Sequence, residues 1–539
     1  MDRQEVLERL AKEKFDLLVV GGGSTGAGIA LEAAVRGLKV ALVERSDFAS
    51  GTSSRSTKIF HGGVRYLEQA VKKLDRSQLK LVKSALRERG LLLDLAPHLA
   101  HPLPLLIPLY HSWEIPYYFL GMKLYDGLAG RFNLKPSRYL TASQALVHCP
   151  TLQRNGLRGA ILYYEGQFDD ARWNVALALT AAAHGACVAN YAEVVALLKD
   201  HQRISGVAIK DRLTGKSFEV RAQVVVNATG PYADEMRRLD DPGVAPMLML
   251  SAGTHIVLER KFCPSDWGIL VPRTDDKRVA FILPWMGRTL VGTTDIRAEA
   301  TDSPVPTAEE IDFLIAQARR YLAEKPALKD VRAAWCGLRP LLRGDGSASS
   351  TAALVREHAI ETSASGLTTV AGGKWTTYRE MAQEAVDYCI RYHGLKAPLS
   401  AAAGGLVHLV GAEREIFALA EELAREFGLE LSTAQHLSRS YGGLARRVAE
   451  LAANGLNRKL VPGFPYIEAE VVWAVREEMA CTVVDFLARR LRLAFIDREA
   501  ALSAVKGVAA LMAKELSWEE ARVSDEIAAA ERRIATGAL

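Results

Sequence analysis

Residues 15–20, Phe-Asp-Leu-Leu-Val-Val, run directly into Gly21-Gly22-Gly23-Ser24-Thr25-Gly26. An apolar helical pattern follows, and then Lys39-Val40-Ala41-Leu42-Val43-Glu44. A buried strand that stops at a glycine turn, restarts as a helix and returns as a strand ending on an acid is a βαβ unit built for a dinucleotide. Gly21 permits the tight turn, Gly23 lets the backbone approach a pyrophosphate, and Gly26 lets helix and strand pack closely. Unpaired N–H groups at the helix start hold phosphate, and Glu44 stands where an acid accepts a hydrogen bond from a ribose hydroxyl. The motif alone does not separate NAD from FAD.

The 539 residues suffice for about two to four domains. Hydrophobic residues at 49% and charged residues at 24% are ordinary for a soluble globular enzyme. A net charge of +5 is mild for this length and gives no argument for nucleic acid. Six scattered cysteines, without a CxxC pair or zinc spacing, read as reduced thiols in a cytoplasmic setting, and no metal site is expected. Residues 1–14 are charged throughout, so no secretory signal is expected, and no apolar run is long enough to span a bilayer.

Residues 95–131 depart from the average. Pro97, Pro102, Pro104 and Pro108 are followed by Trp113, Tyr117, Tyr118, Phe119 and Tyr125, edged by His98, His101, Lys123 and Arg131. The prolines rule out one spanning helix. A membrane interface and a buried cap over the active site both fit.

After Glu44, residues 46–57 are too rich in Ser, Thr and Gly for a regular element and read as a loop beside the cofactor. Helical spacing marks 66–89 and 173–184, the second opened by Asp169-Asp170. Alternating strands at 193–198, 204–210 and 218–226, with a turn at 213–216, lead to Asn227-Ala228-Thr229-Gly230, a small-residue turn of the kind found at a cofactor edge. Further strand signals lie at 254–258, 279–283 and 289–292, with a helix at 308–323. A strand at 367–371 meets the turn Gly372-Gly373-Lys374 and a helix from Thr377, where Thr377 and Glu380 have capping-box spacing. From about 405 strand signals vanish, and 416–427, 444–454 and 468–479 read as amphipathic helices. No internal repeat is present.

Four more segments narrow the reading. They are Arg55-Ser56-Thr57-Lys58-Ile59-Phe60-His61-Gly62-Gly63-Val64-Arg65-Tyr66-Leu67, Gly253-Thr254-His255-Ile256-Val257, Gly292-Thr293-Thr294-Asp295, and Gly372-Gly373-Lys374-Trp375-Thr376-Thr377-Tyr378-Arg379. In this order, after the glycine turn, the chain resembles the FAD-dependent glycerol-3-phosphate dehydrogenases, the aerobic, quinone-linked family of bacteria and mitochondria. Residues 477–493 resemble that family's C-terminal domain. Trp375 stands where some members have leucine, and Phe60 where a smaller aliphatic residue is usual; both change bulk and not charge.

The resemblance implies an α/β fold. A Rossmann-like FAD-binding domain is interleaved with an antiparallel β substrate domain over residues 1–400, a linker lies near 397–405, and an all-α domain fills 405–539. It implies FAD lined by Gly21, Gly23, Gly26, Glu44, Thr52, Ser53 and the turn 372–376 with Gly373, Lys374 and Thr376. A helix starting near Thr376 would aim its positive end at the flavin. It further implies oxidation of sn-glycerol 3-phosphate at C2 with hydride passing to flavin N5, and a membrane quinone as acceptor. Peripheral association with the inner leaflet of the cytoplasmic membrane follows from it too, with a homodimer among the assemblies allowed.

A dianionic substrate head calls for fixed cations with several donors. Arg65, Arg339, Arg356 and Lys374 fall in segments that the family places around the flavin, with Tyr66 as a neutral donor. His255 is the candidate base, since histidine titrates near neutral pH. Arg339, which would polarise the same hydroxyl, and Lys374 complete the candidate catalytic set, and His61 ranks behind them. Three alternatives stand beside this reading. An α-glycerophosphate oxidase passes electrons to oxygen, although its longer members carry an insertion not found here. An amine or amino-acid oxidase pairs one arginine with a carboxylate. A catalytically silent nucleotide- or membrane-binding protein has no need of the full polar set.

Overall fold

The computed structural model describes residues 2–276, 278–343, 358–399, 406–412 and 416–539, the side chains of Arg65, Ile416 and Phe417 excepted. Arg356 and most of the expected linker lie outside them. The described residues build two sheets. In the first, Lys14–Val20 runs parallel between Val40–Val43 and Ser217–Asn227, and Leu367–Gly372 continues the parallel side beyond them. Val40–Val43 is buried at all its residues, as a strand covered on both faces must be. The helices Ser24–Val35, Asp170–Ala183 and Tyr378–His393 pack together over this sheet. Three of the parallel strands end at the same edge, in the turns at Gly21, Ala228 and Gly372. That edge is where open α/β sheets bind ligands.

The second sheet is mostly antiparallel and is threaded through the first in sequence. Its longest pair is Leu248–Glu259 with Val331–Leu342, in a register that sets His255 opposite Trp335, Gly253 opposite Gly337 and Ser251 opposite Arg339. Both sheets draw on the same N-terminal stretch of chain, since Ile59–Phe60 and Ala100–Leu109 belong to the second.

Three expectations change on contact with the fold. The helix expected over 66–89 is two helices, Val64–Lys73 and Arg76–Leu95, parted by Leu74 at φ 52°. Asp75 caps the second, its carboxylate accepting the N–H groups of Ser77 and Gln78, and this local cap outweighs the apolar periodicity. Thr377 and Glu380 form no capping box: the Thr377 hydroxyl donates to the Lys374 carbonyl, and Glu380 accepts from Ser84. Residues 95–131 divide between a mostly buried strand, Ala100–Leu109, and a surface helix, Glu114–Ala129. Pro102, Pro104 and Pro108 fall outside the strand's two-residue register with Gly268–Val271, where a missing N–H costs no bond on that side.

The C-terminal helices include Glu468–Glu478, Arg498–Leu516 and Glu520–Thr536. One apolar cluster joins them to the second sheet, with Trp335, Leu290 and Tyr163 on one side and Phe495, Val505 and Met512 on the other. A smaller cluster around Leu437, Val448 and Trp473 closes the outer helices on themselves. Among the described residues no helix is long and apolar enough to cross a membrane.

Candidate active site

The turns at the sheet edge open a cavity of about 870 Å³. Gly21, Gly23, Glu44, Thr52, Ser53, Gly373 and Lys374 line it; Gly26 and Thr376 do not. Gly26 lies behind the turn, where a β-carbon would overlap the Gly21 carbonyl, so its smallness sets how close the helix comes to the strand. Gly21 has φ +111°, and a β-carbon there would sit 2.6 Å from the Ala228 carbonyl oxygen. Two side chains fix this cradle from outside: the Ser24 N–H donates to Ser53 Oγ at 2.9 Å, and Asn174 Nδ2 donates to the Gly22 carbonyl at 2.8 Å. The Glu44 carboxylate accepts the N–H groups of Gly22 (2.6 Å) and Ser46 (2.9 Å), which holds an acid at the lip. The Thr52 hydroxyl turns away to the Leu338 carbonyl. A glycine floor with no room for β-carbons, at a helix start beside a fixed acid, fits the pyrophosphate and ribose of a dinucleotide.

At the other end of the cavity Trp375 donates through Nε1 to the Ser53 carbonyl at 2.9 Å and packs edge-on against Phe168 and Tyr378. Phe60 stacks on Phe168, so the two bulky departures from the family pattern belong to one aromatic wall. Lys374 Nζ lies 3.9 Å from the centre of the Tyr66 ring. Thr376 is buried and accepts the His61 N–H at 3.3 Å. Arg65 stands in the first turn of Val64–Lys73.

The second sheet supplies the remaining candidates on one face. Gly253 and Gly337 are cross-strand partners, and the pair leaves a gap in the row of side chains. A β-carbon at Gly253 would overlap the Arg339 guanidinium. Arg339 donates from Nη1 to the Thr294 carbonyl (3.1 Å) and from Nη2 to Thr293 Oγ1 (2.9 Å), with Asp295 at 3.7 Å. His255 lies two residues from Gly253, 1% exposed, stacked on Trp335 with ring centres 4.1 Å apart. Burial first, then Lys58, then Arg339 push its basicity well below the histidine range, so the ring is uncharged at neutral pH. Thr57 Oγ1 is 3.0 Å from His255 Nε2.

Sequence reasoning missed a set of buried ions behind the loop 46–58. Asp170 accepts from Ser56 N–H (3.0 Å), Ser56 Oγ (2.7 Å), Lys58 Nζ (2.7 Å) and Arg492 Nη2 (3.0 Å). Asp47 is held by Arg489 (2.6 Å) and Arg490 (2.7 Å). Lys58 is pushed down to about 7 by burial and by Arg492, against the pull of Asp170. The signal for Asp170 was the doubled acid. Asp169 alone caps the helix, accepting from the N–H groups of Ala171 and Arg172, which leaves Asp170 for another partner. Thr57 and Lys58 lie within the 55–67 segment but were not singled out.

Comparisons with known proteins find the same family along nearly the whole chain. The profile of the FAD dependent oxidoreductase family matches residues 16–379, and that of the C-terminal domain of alpha-glycerophosphate oxidase matches 405–523. The mitochondrial glycerol-3-phosphate dehydrogenase of Mus musculus is 48% identical over 533 residues, which is 96% of this chain and 73% of that one. That of Arabidopsis thaliana, SDP6, is 45% identical over 98% of this chain and 87% of its own. Among solved structures, the glycerol-3-phosphate dehydrogenase of Bacillus halodurans complexed with FAD superposes with a TM-score of 0.79 at 30% identity, covering 99% and 97% of the two chains. Glycine oxidase of Geobacillus kaustophilus shares the fold over 74% of this chain and 99% of its own, with a TM-score of 0.54 at 23% identity.

Proposed function

This chain belongs to the FAD-dependent oxidoreductases and, among them, to the glycerol-3-phosphate dehydrogenases, and on that footing we propose that it oxidises sn-glycerol 3-phosphate to dihydroxyacetone phosphate and passes the electrons to a membrane quinone. The observation that carries the substrate assignment is Arg339, a fixed two-pronged donor over a glycine gap, beside an uncharged histidine. Gly21, Gly23, Glu44, Ser53 and the turn at Gly373 and Lys374 are the residues that would hold FAD, which when bound supplies the acceptor for the C2 hydride.

The chain's own residues handle charge and the proton. Arg339 and Lys374 balance the dianion, with Arg65 and Arg356 as further cations and Tyr66 as a donor. His255 takes the hydroxyl proton. A dianion arriving beside Arg339 offsets the cations that hold the ring's basicity down, so its proton affinity rises when substrate is present.

The surface helix Glu114–Ala129 supports the membrane part of the reading. Trp113 is 65% and Leu120 67% exposed, with Tyr117 and Leu124 beside them and Val71 and Leu74 on the neighbouring helix. Lys72, Lys73, Arg76, Lys80 and Lys123 are exposed on this helix and on Val64–Lys73 and Arg76–Leu95 beside it. Apolar residues flanked by cations suit the interface of an anionic membrane, the environment that holds quinone.

Anaerobic titration with glycerol 3-phosphate tests the proposal. Bleaching of a flavin band at roughly 450 nm is expected. A band that persists overturns the substrate, and stoichiometric peroxide on admitting oxygen replaces quinone as acceptor. Co-sedimentation with anionic but not neutral vesicles, reduced by Leu120→Glu, tests the membrane face.

A further inference from the structure

His255, the proposed proton acceptor, is sealed off. One face of its ring is stacked on Trp335, its edge fills the space that a β-carbon at Gly292 would need, and only 1% of the residue is exposed. The group within reach of Nε2 is the Thr57 hydroxyl at 3.0 Å, and Thr57 itself is only half-buried. Residues 55–57 run across the glycine gap: a β-carbon on Gly337 would lie 2.8 Å from Arg55 Cβ, and two residues later Thr57 meets His255. The hydroxyl therefore meets the ring at the end of a loop that crosses the same glycine pair over which the Arg339 guanidinium lies.

Its position is also fixed with care. Ser56 and Lys58, on either side of Thr57, are both bonded to Asp170. Lys58 sits at φ +65°, a conformation that a residue with a side chain keeps only where its surroundings over-determine it. Asp170 is itself tied to Arg492 of the C-terminal helices. A hydroxyl with no task beyond filling space needs no such anchoring.

We infer that Thr57 is a catalytic residue, a proton relay between the C2 hydroxyl of the substrate and His255. This rests on His255 as the proton acceptor. The C2 O–H bond breaks with its proton passing to Thr57 Oγ1, while the Thr57 proton passes to His255 Nε2. The C2 hydrogen leaves with both bonding electrons to the acceptor named above, so alcohol becomes ketone with charge and atoms balanced. The imidazolium then returns its proton to solvent through the same hydroxyl.

The test compares the holoenzyme with Thr57→Val, Thr57→Ser and His255→Asn by anaerobic stopped-flow of flavin bleaching with glycerol 3-phosphate. Thr57→Val is expected to bleach about 10²-fold more slowly, as loss of a general acid–base step does, and Thr57→Ser to stay within a few-fold of the parent. Thr57→Val added to His255→Asn should cost nothing further, because the two act as one unit. Slow bleaching in His255→Asn with parental bleaching in Thr57→Val overturns the relay and leaves the base standing. Parental bleaching in His255→Asn overturns the base and the relay with it. Two readouts do not depend on how the valine variant folds. In unsubstituted enzyme the rate across H₂O–D₂O mixtures should fall along a curve, as two moving protons require, and a straight or flat line overturns the relay. In ¹⁵N-histidine-labelled protein without substrate, the His255 Nε2 signal should keep its place in Thr57→Ser, and a displaced signal there overturns the bond on which the relay stands.

Discussion

The dinucleotide cradle and the buried ion cluster behind it touch the same loop, yet they are made in opposite ways. The cradle is backbone: consecutive glycines, a helix start, and a carboxylate that reaches back 22 residues to Gly22. The ion cluster is side chain, and its partners are as far apart as Asp47 and Arg490, separated by 443 positions. The first works because certain atoms are missing, so that chain and ligand can approach. The second works because opposite charges arrive together in a place that water does not reach. One is therefore broken by adding a methyl group, and the other by removing a charge.

Gly26→Ala should have the largest effect. Its β-carbon has no place beside the Gly21 carbonyl, and the purified protein is expected to keep less than about a tenth of its flavin absorbance per chain. Full flavin content would show that the turn yields, and would dissolve the contrast. Asp170→Asn keeps the shape and removes the charge shared by Lys58 and Arg492; a loss of about 3–5 kcal/mol in urea unfolding is expected. An unchanged midpoint would mean that Asp169 and the backbone carry those cations unaided.

The third test uses pH. Lys58 is held at about 7 in the fold against an ordinary 10.5, so between those values the unfolded chain binds a proton that the folded protein has released. Stability from this group therefore rises with pH across the window, by up to about 1.4 kcal/mol per unit, and below pH 7 the full cost of burying the ammonium remains. Lys58→Met should flatten that slope, measured as unfolding midpoints from pH 7 to 10; an identical slope in the variant would assign it elsewhere. Asn174→Ala, which takes away the shorter of the Gly22 carbonyl's two hydrogen bonds and leaves the one from the Ala49 N–H at 3.2 Å, should cost about 1 kcal/mol and weaken flavin retention on dilution. Arg446→Ala breaks a well-formed pair with Glu426 on the open surface and should leave the unfolding midpoint where it was.

The same contrast explains what could be read beforehand. The cradle, the strands on either side of it, and the helix over 416–427 follow from neighbours in sequence, and the structure keeps them. Where two local signals competed, the shorter-range one prevailed: Asp75 ended one helix and capped the next in spite of a continuous apolar stripe. Of the candidate site residues, His255 and Arg339 do share a face, because strand register carried them there. Lys58, Asp170 and Arg492 were out of reach, since nothing near any one of them in sequence indicates the other two. Trp335 was hidden for the same reason: its role as the platform for His255 is a cross-strand relation.

The ion cluster also sets an order of events. A chain made from its N-terminus presents Asp47 and Asp170 early, while Arg489, Arg490 and Arg492 emerge much later, more than three hundred residues behind Asp170. Until those arginines leave the ribosome, the loop that carries Thr52, Ser53 and Thr57 is backed by Asp47 without its guanidinium partners and by Asp170 with Lys58 but not Arg492, carboxylates that favour water over burial. The glycine turn is made well before those arginines, and the wall behind it closes only once they are in place. A settled wall behind the cofactor cradle thus depends on the helical segment that carries Arg489, Arg490 and Arg492.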